Sequence, residues 1–200
     1  MIFKKKDTIK EFWEWFVKNK TKLEEFINSE ETDYSIYNQL TNKLKKFNTL
    51  LFPEITIDEN NNFVLIITPD GIKDGIVPTN EIIENAPFVE HWVFKKFRQA
   101  SDKIDLNFSG LEFKYTDIKI WRKFNIEEVK VDIAVLINNY NENDSRFFSL
   151  AFLYLDHILG EFNVLTRVGC IDFFGWDKLN DNFEAIDLLI LRKEIEENLY

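Results

Sequence analysis

The sequence predicts an α+β fold, with a mainly antiparallel sheet packed by N-terminal helices and by a buried helix near 145–159. Three observations carry that prediction. Amphipathic helical spacing opens the chain, strand-like segments fill its middle, and an almost uniformly apolar helical stretch follows them. At 200 residues, 45% apolar and 30% charged, the chain suits one compact α+β domain over residues 1–200, because a chain of this size buries roughly 70% of the surface exposed when unfolded. Twenty Phe, five Trp and six Tyr against one Met imply a core of large rings. No repeat, low-complexity tract or linker divides the series.

The first helix has clear signals. Asp7 or Thr8 can cap it, Thr8 with Glu11 has the spacing of a capping box, and Ile9, Phe12, Trp13, Phe16 and Val17 form one apolar stripe. Thr21 with Glu24 repeats the box before Leu23, Phe26 and Ile27, so the helix either breaks near Asn19 and restarts or runs through to about Asn28. A second helix is expected from about Asp33 to Phe47, with Ile36, Tyr37, Leu40, Leu44 and Phe47 at helical spacing and Lys43, Lys45 and Lys46 suiting its C-terminal end.

After Pro53 the period changes. Glu54 to Asp58 alternates, Glu59 to Asn62 is a polar turn, and Phe63 to Thr68 is densely apolar, which together predict a β-hairpin. Pro69-Asp70-Gly71 is turn chemistry. Pro78 suits the first turn of a short helix that Ala86-Pro87 ends, before a strand from Trp92 to Phe97. Strands follow at Leu111–Phe113, Ile118–Phe124 and Val129–Ile137, the last alternating in strict period two. Residues 145–159 predict the buried helix, with Gly160 as its C-terminal cap. Val164–Phe174 reads as another strand, and Ala185–Leu199 as a closing helix that docks at an edge or face of the sheet.

Charge and cysteine usage bound the function. A formal charge of −10 repels phosphate backbones and argues against nucleic-acid binding. A single Cys allows no internal disulfide and no CxxC pair, which fits a reducing compartment, and the chain reads as cytoplasmic. The start, MIFKKKDTIKEFWEWF, is unlike a secretory signal, and no window holds the ~18 or more apolar residues of a membrane span. Residues 1–22 carry seven Lys against three acids, whereas 23–33 carry five acids and no base, which the plainer reading treats as solvated helix faces.

No phosphate loop, dinucleotide fingerprint, zinc-protease helix or serine elbow occurs, and no motif implies a cofactor. Only His91 and His157 are available as imidazoles, so a metal site would need carboxylates to complete it. His157 sits near a helix C-terminus, where the dipole favours its protonated form. Asp156, its neighbour, points away from it on a helix. Cys170 lies in an apolar strand and reads as a small buried hydrophobe. Asp172, among Ile171, Phe173 and Phe174, must face water or find a cation such as Arg167 or Arg98. A pocket drawn from His91, Arg98, Asp156, His157, Arg167 and Asp172 is therefore the candidate ligand or catalytic site. Trp15 falls off the first helix's stripe, and Trp121 shares a strand face with Lys119 and Lys123. These two indoles are candidate contacts for a partner, or are covered within the chain.

Three segments carry a resemblance: Phe12-Trp13-Glu14-Trp15-Phe16; Ala86-Pro87 followed by Trp92, Phe94, Phe97 and Arg98; and Leu155-Asp156, Leu159-Gly160-Glu161, Thr166-Arg167 and Gly169. The chain resembles a family of uncharacterised bacterial proteins of about this length that keep this order of segments. The shared motifs are mainly aromatic and apolar, so the resemblance implies a common fold and a bacterial origin and carries no activity or cofactor. The expectation that follows is a non-catalytic protein-interaction module whose acidity suits a partner with a basic surface, such as a toxin. The alternative is a small-ligand-binding protein or enzyme with a pocket using His157, Asp156 and Arg167. A self-associating module forms a third class.

Overall fold

The computed structural model describes residues 2–29, 33–102, 104, 106–180 and 183–200, with side chains from Asp7 onward. The class is α+β as expected. Backbone packing gathers the chain into two compact units, residues 1–98 and 99–200, and the elements of each are described separately below.

In the first unit, helix α1 (Ile2–Asn28) runs unbroken through Asn19, which decides between the two sequence readings. The Asn19 side-chain amide donates to the Trp15 carbonyl at 2.8 Å, so a residue that could have ended the helix bonds back onto it. Helix α2 (Ser35–Phe47) buries Ile36, Leu40 and Leu44 and packs on α1. Asp33 precedes it, accepting from the Ser35 N–H at 2.9 Å. Strands β1 (Phe52–Ile57) and β2 (Phe63–Thr68) form the expected antiparallel hairpin, with Ile55 opposite Leu65. Asp58 closes its turn by accepting the N–H groups of Asn60 and Asn62 at 2.9 and 2.8 Å. After the turn at Asp70 and Gly71, both at positive φ, helix α3 (Ile76–Glu84) crosses back to β3 (Trp92–Lys96), which lies parallel to β2. The core joins Phe12, Trp13, Phe16 and Leu23 of α1 to Leu40 and Leu44 of α2 and to Leu65, Ile67 and Trp92 of the sheet.

The second unit begins with a short ribbon, β4 (Asn107–Phe108) and β5 (Leu111–Glu112). Strands β6 (Ile118–Asn125) and β7 (Lys130–Ile137) pair antiparallel, and β8 (Val168–Gly175) lies parallel to β7. The chain crosses between β7 and β8 through α4 (Arg146–Leu155), a π-helical turn over Asp156–Gly160, and α5 (Glu161–Arg167). Gly160, at φ 83° and ψ 131°, leaves helical geometry at the end of the π turn, as a C-terminal cap does. One expectation is corrected: a new helix, α5, starts directly after it, so 164–167 is helical instead of extended. Burial of Glu161 and Leu165 against the unit outweighs the β propensity of Val164 and Thr166. Helix α6 (Leu188–Asn198) buries Leu188, Leu191 and Ile195. Just before it, Ile186 exchanges both backbone hydrogen bonds with Ile120 at 2.8 and 3.0 Å.

The single sheet expected from the sequence is thus realised as three, two of them with one antiparallel and one parallel pair. α1 and α2 cover one sheet, while α4 and α6 cover the other. One helical segment also departs from the expectation that no stretch suits a membrane span. Arg146–Arg167 is long and apolar enough to cross a membrane, the one such helix among the described residues, and half of its most apolar window is buried inside the fold. Leu150, Ala151, Tyr154 and Leu155 pack on Ile133 and Val135, as a core helix does.

Candidate functional site

The expected pocket residues go to different surroundings. His91 is exposed at φ 65° on the turn before β3, 3.7 Å from the Glu90 carboxylate. Arg98, only 8% exposed at its side chain, follows β3 and holds two carboxylates. Its Nε donates to Glu54 Oε1 at 2.8 Å and its Nη2 donates to Asp70 Oδ1 at 2.7 Å. That arrangement ties β1 and the turn after β2 to the end of β3, and it neutralises the guanidinium instead of leaving it for a ligand.

In the second unit, Asp156 and Glu161 are buried at either end of the π turn, and His157 is half-buried between them. None of the three is a free group. Arg167 lies over the Tyr200 ring at 4.9 Å, a cation–π contact, while its Nε is buried with no hydrogen-bond partner. Asp172 faces solvent, the plainer of its two sequence readings. Among the described residues no group of three or more His, Cys, Asp and Glu side chains is placed to hold a metal ion.

The two tryptophans are partly covered by the chain itself. Trp15 is half-buried and packs against the α1 core. Trp121 is half-buried under Phe183, ring centroids 5.2 Å apart, with its Nε1 buried and unpaired. Cys170 corrects its expectation. It is exposed, because β8 carries a bulge at its start: Val131 and Ile133 of β7 face Val168 and Ile171 of β8, leaving one extra residue on β8. Asp132 Oδ1 accepts the Cys170 N–H at 2.7 Å. A Cβ on Gly169 would stand 2.2 Å from that same oxygen, so glycine lets the carboxylate approach the Cys170 N–H.

Two surface features remain that composition did not announce. A groove of about 910 Å³ runs between α1 and α3, floored by Ile9, Trp13, Val17 and Pro87 and rimmed by Lys10, Lys18, Glu14 and Glu81. Phe88, the residue after Pro87, is 94% exposed. In the second unit, Phe148 and Phe152 of α4 meet Phe173 of β8 with ring centroids at 4.8 and 5.4 Å, and Phe152 is 41% exposed. This aromatic shelf lies beside the edge strand of the sheet. The alternation of Ile171 and Phe173 with Asp172 and Phe174 contained that signal, but the sheet order needed to interpret it was not legible.

Charge is divided unequally. Residues 1–98 hold 14 Lys and Arg against 16 Asp and Glu, whereas residues 99–200 hold 11 against 19. The net values of −2 and −8 place most of the acidity on the unit that carries the shelf. No family model, curated protein or solved structure matches the chain.

Proposed function

We propose that this chain is a non-catalytic, cytoplasmic bacterial interaction protein whose acidic second unit binds a protein with a basic surface, a toxin or nuclease domain being one concrete form. The charge partition carries this reading. A net −8 on 102 residues steers a cationic partner and speeds its encounter. Exposed carboxylates on that unit include Glu127, Glu128, Asp132 and Asp172.

The test is capture of the tagged full chain's partner from its native host, followed by light scattering and association kinetics on the purified pair. A basic partner in a stoichiometric complex, with an association rate that falls steeply as salt rises, supports the reading. An acidic partner, or a rate indifferent to salt, refutes it. A second reading, small-ligand binding, is favoured by the α1–α3 groove. It would use Ile9, Trp13 and Pro87 in place of His157, Asp156 and Arg167. Amide shifts at Val17 and Asn85 on titration with apolar fragments check it, and shifts confined to other residues argue against it.

A further inference from the structure

A strand at the edge of a sheet shows a row of backbone donors and acceptors, and folded proteins blunt such edges with proline, lysine, bulges or cover. The two three-stranded sheets have four edges, and three are blunted. β1 carries Pro53, whose carbonyl accepts from the Tyr37 hydroxyl at 2.7 Å, and Lys45 stands over the Phe52 ring at 4.2 Å. β3 has five residues, two of them Lys95 and Lys96, and it ends at Phe97, which stands at φ 60°. β6 is bridged by Ile186.

β8 differs. Its eight residues include no proline and no lysine, and among the described residues its only strand neighbour is β7. The bulge and the Asp132 carboxylate occupy its start, which leaves Ile171–Gly175 as a regular stretch opposite residues 133–137. In a parallel pair every second residue of an edge strand turns its N–H and C=O outward. Along this stretch Asp172 and Phe174 are exposed, while Ile171 and Phe173 pack on the core under α4, where Phe148 and Phe152 extend the apolar surface.

We propose that the Ile171–Gly175 edge of β8 takes an added strand from the basic partner, an extended segment placing apolar side chains on the Phe152–Phe173 shelf and Lys or Arg beside Asp172. Backbone pairing supplies the affinity, and the alternation supplies the selectivity. The alternate faces of the edge favour that pattern, because a residue on one side meets Phe152 and Phe173 and its neighbour meets the Asp172 carboxylate beside Phe174. The proposal rests on the basic-partner reading above and names how that partner is held.

The test uses the isotopically labelled full chain with a synthetic heptapeptide alternating lysine and valine, and the same peptide methylated at every backbone nitrogen. The unmethylated peptide is expected to slow amide exchange within 171–175 by about tenfold or more, and the methylated one, equal in charge, to leave it unchanged. Asp172→Lys, at an exposed site, should weaken binding by about tenfold, while the same charge change at Glu197, exposed on α6, should weaken it by no more than about twofold. Equal binding of the two peptides, or protection confined to other acidic segments, overturns strand addition and leaves the basic-partner reading standing. Failure of both peptides to bind counts against both. Protection of 171–175 in the protein alone, rising with its concentration, overturns the proposal by assigning the edge to a second copy.

Discussion

Residues 52–96 and 118–175 trace the same path: an antiparallel hairpin, a helical crossover, and a third strand parallel to the second, in spatial order one-two-three. Their cores are filled differently, and the crossover length accounts for this. α3 has nine residues, about 14 Å of helix, whereas α4, the π turn and α5 together have 22 residues, from Arg146 to Arg167. The short crossover leaves much of its sheet bare, so cover comes from α1 and α2 outside the motif and is mostly aromatic. Trp13 meets Phe12, Phe16 and Phe94 at 4.9, 5.6 and 4.7 Å between centroids. The long crossover covers its own sheet, and there Ile, Val and Leu dominate the buried set, with Phe147 and Tyr154 as the buried rings among the described residues. One strand order therefore accepts two kinds of core, depending on where the cover originates.

The largest expected effect breaks the first of these cores. Trp13 is 4% exposed and its indole N–H donates to the Ile82 carbonyl at 3.0 Å, linking borrowed cover to the crossover helix. Trp13→Ala should cost about 3–5 kcal/mol. Tyr154→Phe in the second core removes only the hydroxyl that donates to the Phe113 carbonyl at 2.5 Å, and should cost about 0.5–1.5 kcal/mol. Denaturant unfolding gives the magnitudes and amide exchange assigns them to a unit. A Trp13→Ala loss no larger than that of Tyr154→Phe would show that the indole carries little of the first core.

Each unit also fastens its sheet with one arginine on two carboxylates, and burial ranks them. Arg98 is 8% exposed with Glu54 and Asp70, while Arg122 is 17% exposed with Glu184 and Glu194 at 3.0 and 2.7 Å. Arg98→Met is expected to destabilise by about 1.5–3 kcal/mol, discounted toward the low end because Asp70 reaches water. Arg122→Met should cost about 1 kcal/mol, nearer the value of exposed pairs. Equal costs in urea titrations would show that the greater burial of Arg98 adds nothing.

The sequence exposed the helices more fully than the topology. The stripe at Ile9, Phe12, Trp13 and Phe16, the Asp58–Asn62 turn and the strict alternation of Val131, Ile133, Val135 and Ile137 each reflect a local pattern that the sequence carries by itself. The parallel pairings of β2 with β3 and β7 with β8 depend on contacts far apart in sequence, and no local pattern encodes them. The segment after Gly160 misled for a related reason. The glycine breaks the helix at φ 83° and ψ 131°, as a cap does, but buried Glu161 and Leu165 start a second helix where the β-branched Val164 and Thr166 suggested a strand. Of the candidate site, the acidity and the Ile171–Phe174 alternation were legible. The open edge was not, because strand order decides which strand is outermost, and the bulge that exposes Cys170 carries a hydrogen bond to Asp132, 38 residues away.

That bulge has no counterpart in the first sheet, whose β2–β3 register runs without a shift, and a smaller substitution tests what holds it. A methyl group at Gly169 would collide with Asp132 Oδ1, and the carboxylate must swing off the Cys170 N–H to admit it. Gly169→Ala should therefore cost about 1 kcal/mol, the worth of that hydrogen bond. Combining it with Asp132→Ala should cost less than the sum of the two single changes, since both remove the same bond. Strict additivity in the double-mutant cycle would show that the contact does not fix the bulge.

The smallest effect compares one aspartate from each unit under acid. Asp58 is held below the usual carboxylate range chiefly by backbone and side-chain N–H donors of Asn62, and Asp144 chiefly by the Arg146 guanidinium. Because folding lowers both values, the stability they supply is present above the unfolded value near 4 and is lost as pH falls through the folded value. Carboxyl-carbon NMR titrations should find both midpoints below that of an ordinary aspartate. Added salt should move Asp144 upward, since screening weakens its cationic partner, and should leave Asp58 nearly in place, since its donors carry no net charge. A salt response of equal size at the two sites would contradict the assigned causes, whereas an unequal one ties the acid tolerance of the β1–β2 hairpin to its turn and that of the α4 N-terminus to an ion pair.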